Sequence, residues 1–498
     1  MPHSLRSLGL MAILVLIAPA FWGDDTVRDI GSRREIFVDG YLIERLDGTQ
    51  RRLQTPQAAE VSVGQEQIGG LNFDTGYAVV KDGDVYRMFY NASARMALAE
   101  SLDGIHWTLP SIGLVEFEGS RNNNLIGSVD GELMIPEDEP MPEVFLDTRP
   151  GIPSDERYKC FTLDETDGVK VFAWVSGNGR RYRKLQEEPI IHSRLYGVFD
   201  GYESAFWSES EQQYLLYTRY YIGKINADGR RAVARMTSKD FLTWTEPKPM
   251  TFGNTGLKPP DHHYNNQTEP YFRAPHIYIA LSSRLMQGRQ VITREQAAAA
   301  GLQASLQFKG DRIDWLIGDC GETVMMSTRG GTRYDRSFME GFVRPGGRLN
   351  NRVTRCNFAL RGIVPTGDRE MSIYVNRHNA QDSSHVVRHT LRTDGIVAIN
   401  APYTGGQMVT RPLKFKGRRL VINYATSAAG NVRVSIEDAS GTALPGFGLD
   451  DCDEIVGDEI RRVVTWKGND DVSRLVDRAV RLRFSMMDAD LFSLQFVE

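Results

Sequence analysis

The sequence predicts an all-β protein, a five-bladed β-propeller over residues 24–400 followed by a C-terminal β-sandwich over residues 401–498. Three observations carry this reading. A short turn recurs five times, an aromatic β-rich run precedes each copy at a similar offset, and the texture changes after about residue 400. A chain of 498 residues with 41% hydrophobic and 10% aromatic content has room for such a core and for a second domain. The 47 glycines suit a fold with many tight turns.

The turn is clearest in SLDGIHW (residues 101–107) and returns as SGNGRRY (176–182) and SKDFLTW (238–244). STRGGTRY (327–334) is one residue longer, and RTDGIVA (392–398) lacks both the serine and the aromatic. Asp or Asn can accept backbone N–H bonds inside such a turn, and the closing aromatic can pack between neighbouring sheets. The runs before the turns are VYRMFYNAS, RYKCFTL, QYLLYTRYY, HIYIALSSR and EMSIYVNRH, rich in the residue types that favour strands. One further candidate strand precedes each run, so every unit reads as a propeller blade. The irregular spacing fits blades with variable loops.

The segment 27–48, VRDIGSRREIFVDGYLIERLDG, is expected to supply a strand that helps close the ring. The Ala-rich stretch 288–306 is expected to form a short helix in an insertion within blade four. After residue 400, GRRLVINYAT, NVRVSIEDAS, EIRRVVTWKG and AVRLRFSMMD alternate apolar and polar residues, as sandwich strands do.

The first residues read as an address. LGLMAILVLIAPAFW follows a single arginine, and Ala18 and Ala20 form a small-x-small pattern before Asp24 and Asp25. A signal peptide cleaved near Ala20 or Gly23 is expected, and with it a secreted or periplasmic location without a membrane span after cleavage. A net charge of −5 excludes the basic footprint of a nucleic-acid binder. The four cysteines, Cys160, Cys320, Cys356 and Cys452, are scattered; buried thiols or one bridge are expected, with no metal site and no cofactor.

The chain carries the motifs DGDVYRMFY, SLDGIHW, DTRPG with RYK after it, FWSE, PYFRAPHIYIAL, the MSTR and YDR pair, REMSIYV and the tail VRLRFSMMDADLFSLQF. Together they resemble those of a group of secreted bacterial proteins similar to glycoside hydrolases of families 32 and 43. The resemblance implies a five-bladed propeller, a carbohydrate substrate and hydrolysis of glycosidic bonds. The Asn-Asp-Pro-Asn-Gly signature of family 32 is absent from the chain.

Glycoside hydrolysis needs two carboxyl groups, one protonated to serve the leaving oxygen and one charged to activate water or attack. Enzymes similar to family 43 place three carboxylates on the inner strands of the first three blades. The carboxylates near those strands here are Asp74, Asp147, Asp200 and Glu203. The expectation is Asp74 as base, Asp147 as orienter, and Glu203 or Asp200 as acid. Asp200 and Glu203 are three apart and face opposite ways in a regular strand. Tyr271, Arg273 and His276 of blade four and Glu370 of blade five are the candidate substrate contacts, with Glu370 a reserve acid. Arg273, set among apolar neighbours, either pairs with a carboxylate or binds a ligand. Two other functions compete: a non-catalytic carbohydrate-binding or surface-interaction propeller, and a sialidase, whose Asp box is one residue longer than SLDGIHW.

Overall fold

The computed structural model describes residues 26–132, 144–164, 167–193, 199, 203–224, 229–253, 261–302 and 313–498. Five antiparallel sheets of the blade type follow one another along the chain. Blade one consists of Phe73–Asp82, Val85–Ala92 and Arg95–Ser101, and blade two of Phe145–Leu146, Tyr158–Asp164, Val169–Ser176 and outer strands. Blade three runs from Ser204–Ser208 through Gln213–Ile222 and Arg230–Ser238, and blade four through Asp261–Tyr271, Ala274–Met286 and Cys320–Thr328. Blade five comprises Val364–Pro365, Glu370–Arg377 and His385–Arg392, with Gln57–Val63 as its outermost strand. Among the described residues no helix is long and apolar enough to cross a membrane.

The recurring turn is the same object in the first three blades. Ser101 Oγ accepts the N–H groups of Asp103 and Gly104, while Asp103 Oδ1 accepts those of Ile105 and His106. Ser176 with Asn178, and Ser238 with Asp240, repeat the pattern. The aromatic then packs as expected: Trp107 meets Tyr374 of blade five edge-on at 5.6 Å, and Trp244 sits against Phe241 and Phe161.

Ring closure differs from expectation. Gln57–Val63 pairs antiparallel with His385–Arg392 and closes the propeller. The strands of segment 27–48 pair with the C-terminal region instead, the first in a separate two-stranded parallel sheet and the others in the large sheet, so the propeller does not begin at residue 24. Arg28–Gly31 pairs with Leu413–Phe415, Glu35–Ile36 with Arg481–Val497, and Ile43–Asp47 with Gly406–Thr410. Gln50–Leu53 pairs with Val397–Ala401. The reason is adjacency: a closing strand must lie against the free edge of blade five, and the run immediately before blade one does so.

The C-terminal sheet has eight antiparallel strands built around Arg419–Glu437 and Arg481–Val497. A register break between Thr426 and Asn431 bends this long pair. Residues from both sides of the bend, such as Ile422, Val434, Phe484 and Leu494, share one core with Phe447 and Trp466. The insertion in blade four forms the helix Arg294–Ala299, started by a Thr293–Gln296 capping box. All four cysteines are buried free thiols.

The fourth and fifth turns are diverted to hold the sheet. Asp394, at the RTDGIVA turn, is 1% exposed. Tyr271 donates its hydroxyl to Asp394 Oδ1 at 2.8 Å, and Arg273 (3.0 Å), Arg34 (3.3 Å) and Ser493 (2.7 Å) converge on Oδ2. Beside the STRGGTRY turn, Arg329 pairs with Glu35 at 2.7 Å and Asp39 at 2.6 Å, and His276 Nε2 lies 3.0 Å from Glu35 Oε1. Burial opposes the Glu35 charge, yet His276 and Arg329 hold its carboxyl below the usual range. Replacing Asp394 with Asn should leave Arg273 and Arg34 short of a counter-charge and lower stability by about 3–5 kcal/mol in chemical denaturation. Asp103→Ala, in an exposed turn, should cost only about 1 kcal/mol.

Candidate functional site at the propeller mouth

The inner strands run the same way round the axis, as the parallel bridge between Ala78 and Arg361 records. Their starts therefore gather at one end, the mouth, and their ends at the other, the base. A cavity of about 700 Å³ opens at the mouth. Its walls carry Asp74, Asn91, Arg95, Tyr264, Asn265, Phe358 and Asn376, among others. Amides and aromatic faces dominate, with Asp74 and Asp382 as its carboxylates.

Asp74 enters this cavity from the second residue of its strand. Its Oδ2 accepts the N–H of Ala94 at 3.1 Å, and its carbonyl accepts the Ser384 hydroxyl at 2.8 Å. Ala94 belongs to a two-residue hairpin in which Ser93 and Ala94 have φ of 50° and 58°. That geometry suits Asn-Gly; a serine and an alanine adopt it at a cost. Arg355, Asn357, His378 and Ala380 also have positive φ, so unfavourable backbone concentrates around the mouth. Asn376 bridges the first and last blades: it accepts the Gly76 N–H at 2.7 Å and donates to the Gly76 carbonyl at 2.9 Å.

Tyr264 and Asn265 also line a small chamber further in, shared with Glu203, Arg219, His263 and Asn266. Glu203 is 4% exposed. Ser282 donates its hydroxyl to the Asn265 carbonyl at 3.0 Å, so it accepts from His263 Nδ1 at 2.7 Å. His263 Nε2 is then a bare acceptor, and it has no partner. Burial pushes this imidazole well below its ordinary value and keeps it neutral. The side-chain oxygens of Asn265 and Asn266 are likewise buried without partners. The chamber is thus lined by acceptors that call for an O–H donor. Arg219, Arg231 and Arg355 all lie over the Tyr264 ring, at 5.6, 5.2 and 5.0 Å.

The expected residues divide by end. Asp74 is at the mouth, Glu203 is in the adjoining chamber, and Asp200 lies outside the described residues. Asp147 is not in the cavity. It lies at the base end of its strand, where its backbone N–H bonds Arg157, and its carboxylate pairs with Lys159 at 3.3 Å and accepts the Tyr214 hydroxyl at 2.6 Å. Tyr271, Arg273 and His276 belong to the buried contacts with the C-terminal sheet and line no part of the cavity. Tyr271 is seven residues beyond Tyr264 on one strand, roughly 23 Å away at about 3.3 Å per residue. Glu370 starts its strand at the base and pairs with Arg388 at 2.7 Å. Asn265, Arg355, Phe358 and Asn376 were not anticipated as site residues; the buried run HHYNN, polar where an inner strand is usually apolar, was a sequence signal for Asn265, and the other three carried none. Among the described residues no group of three His, Cys, Asp or Glu could hold a metal ion.

No protein-family model and no curated protein matches the chain. Solved structures do. One, a glycoside hydrolase, is 10% identical over 68% of this chain and 92% of its own, with a TM-score of 0.41. A fructofuranosidase from Schwanniomyces occidentalis is 9% identical over 89% and 96%, with a TM-score of 0.36. An endo-arabinase from Bacteroides thetaiotaomicron is 12% identical over 67% and 98%, with a TM-score of 0.36. These are likenesses of fold alone.

The mouth supports two predictions. Ala94→Gly removes the side-chain penalty at a positive φ and should raise stability by up to about 1 kcal/mol in thermal unfolding. Burial pushes His378 and His389 down to about 4, from an ordinary 6.5. The unfolded chain therefore takes up their protons first, so their contribution is complete above pH 6.5 and is lost as pH falls towards 4. A His378→Gln, His389→Gln double variant should show a shallower fall in stability between pH 6.5 and 4.

Proposed function

We propose that the protein is a glycoside hydrolase that binds a saccharide in the mouth cavity and cleaves it with Asp74 and Glu203. The observation that carries this reading is the placement of the two carboxylates on either side of the Tyr264–Asn265 wall, one in the open cavity and one withdrawn from water. Unequal surroundings are what an acid–base division of labour requires. Asp74 takes the role of base and Glu203 that of acid. Glu203 protonates the leaving glycosidic oxygen, and Asp74 draws a proton from the attacking water or attacks the anomeric carbon itself. The amides and aromatic faces of the cavity suit hydroxyl groups and the apolar faces of sugar rings. The orphaned acceptors of the chamber suit a sugar hydroxyl or a water. A secreted or periplasmic location, expected from the N-terminal apolar run, would present the enzyme to extracellular glycans.

A non-catalytic carbohydrate-binding propeller is the second reading. Asp147, the expected orienter, is locked between Lys159 and Tyr214 outside the cavity, and that favours it. A screen of polysaccharides and aryl glycosides separates the two. Hydrolysis by the wild type should fall by about 10²–10⁴-fold in Asp74→Asn and in Glu203→Gln, with binding retained. Undiminished hydrolysis in both variants removes the assignment. Retention of a glycan by the wild type without cleavage establishes the binding reading.

A further inference from the structure

A second cavity of about 530 Å³ lies between blades one and five, and it shares Gln65 and Ser384 with the mouth cavity. It reaches the rim of the propeller, because Val61 in its wall belongs to the outermost strand of blade five. The partition between the two cavities is built from hydrogen bonds. Gln65 donates to the carbonyls of Phe73 and Ser384, both at 3.0 Å, and the Ser384 hydroxyl donates to the Asp74 carbonyl. The wall of the second cavity is thereby tied to the residue assigned as base in the first.

Its lining differs from ordinary propeller surface. Val61 is 56% exposed, an apolar side chain held open to solvent beside Trp107 and Leu109. The indole Nε1 of Trp107 and the hydroxyl of Ser62 are buried without a hydrogen-bond partner. Glu66, Gln67 and His385 supply a polar border. An aromatic and aliphatic floor with unmet donors and hydroxyls complements a sugar ring, which offers an apolar face and hydroxyls at its edge. Leaving such groups unpaired is costly in a closed surface and is relieved by a ligand that reaches them.

We propose that this groove binds the distal sugars of an oligosaccharide whose end occupies the mouth cavity, so that the protein recognises a chain and not a single sugar. The inference rests on the carbohydrate reading of the mouth, and it gives the SLDGIHW turn of blade one a ligand contact through Trp107 in addition to its structural hydrogen bonds. Val61 is the cleanest residue to probe, since its exposure lets a larger side chain enter the groove without disturbing the core.

The test measures dissociation constants of the full-length protein for ladders of arabino-, fructo-, xylo- and manno-oligosaccharides of one to six sugars. Wild type, Val61→Arg and Asp74→Asn are compared, with thermal unfolding to confirm that each is folded. For at least one ladder, affinity should rise tenfold or more from two to five sugars. Val61→Arg should abolish that gain and leave the disaccharide constant within about twofold. Trp107→Ala should act in the same direction. Binding that does not strengthen with chain length, or a gain that survives Val61→Arg, overturns the groove and leaves the mouth site standing. A gain that Val61→Arg removes, in a protein where Asp74→Asn changes neither binding nor hydrolysis, keeps the groove and removes the mouth assignment. No binding to any ladder by any form overturns both.

Discussion

Five inner strands running in one direction around a common axis sort this molecule into two chemically different ends. Strand starts meet at the mouth, where side chains are amide-rich and several buried acceptors lack partners. Strand ends meet at the base, where charges are paired and covered. The same strand of blade four serves both: its first half offers His263, Tyr264 and Asn265 to the mouth, and its last residue, Tyr271, bonds Asp394. A residue's chemistry here follows from its position along its strand more than from its type. Asp74 and Asp147 are both inner-strand aspartates, yet one faces a cavity and the other neutralises a buried lysine.

The C-terminal sheet works as a clasp on the base. Its contacts are made by Asp394 and Arg329, which occupy the two turns that depart from the serine–aspartate or serine–asparagine pattern of blades one to three. A turn that spends its aspartate on its own backbone amides has none left for a partner. The first three turns are therefore self-contained, while the last two can be recruited. The N-terminal strands deepen the clasp, since Arg28–Gly31 and Glu35–Ile36 pair within the C-terminal region before the chain crosses to close blade five. Both the ring and the sheet are thus completed by the one segment 28–63, which couples the two structurally.

Much of the fold was legible because its signals are local. Turn, aromatic strand and alternation are read within a dozen residues, and they placed five blades, the helix at Arg294–Ala299 and the C-terminal sheet region. The site was less legible. Counting back from each turn identifies which strand is innermost, but it does not say which end of that strand is the mouth. Asp147, Tyr271, Arg273, His276 and Glu370 were all chosen near strand ends or starts that turn out to be at the base. The closing strand was misplaced for a related reason. Pairing with residues more than 300 positions away leaves no local trace: 27–48 read as the closing strand, and nothing in 57–63 marked it for that place.

The mouth also shows why stability and site construction pull against each other in this fold. Ser93 and Ala94 hold an unfavourable backbone conformation, and in doing so they aim the Ala94 N–H at Asp74. Asn376 spends both ends of its amide on Gly76, which fixes the gap between the first and last blades and with it the width of the cavity. Gly76 cannot be replaced there without moving Leu360, whose side chain lies 2.6 Å from where a Cβ would stand. The closure of the ring and the shape of the cavity are therefore set by the same few contacts. A change that relaxed the mouth for easier folding would also release the carboxylate it positions, and the clasp at the opposite end supplies stability that the mouth gives up.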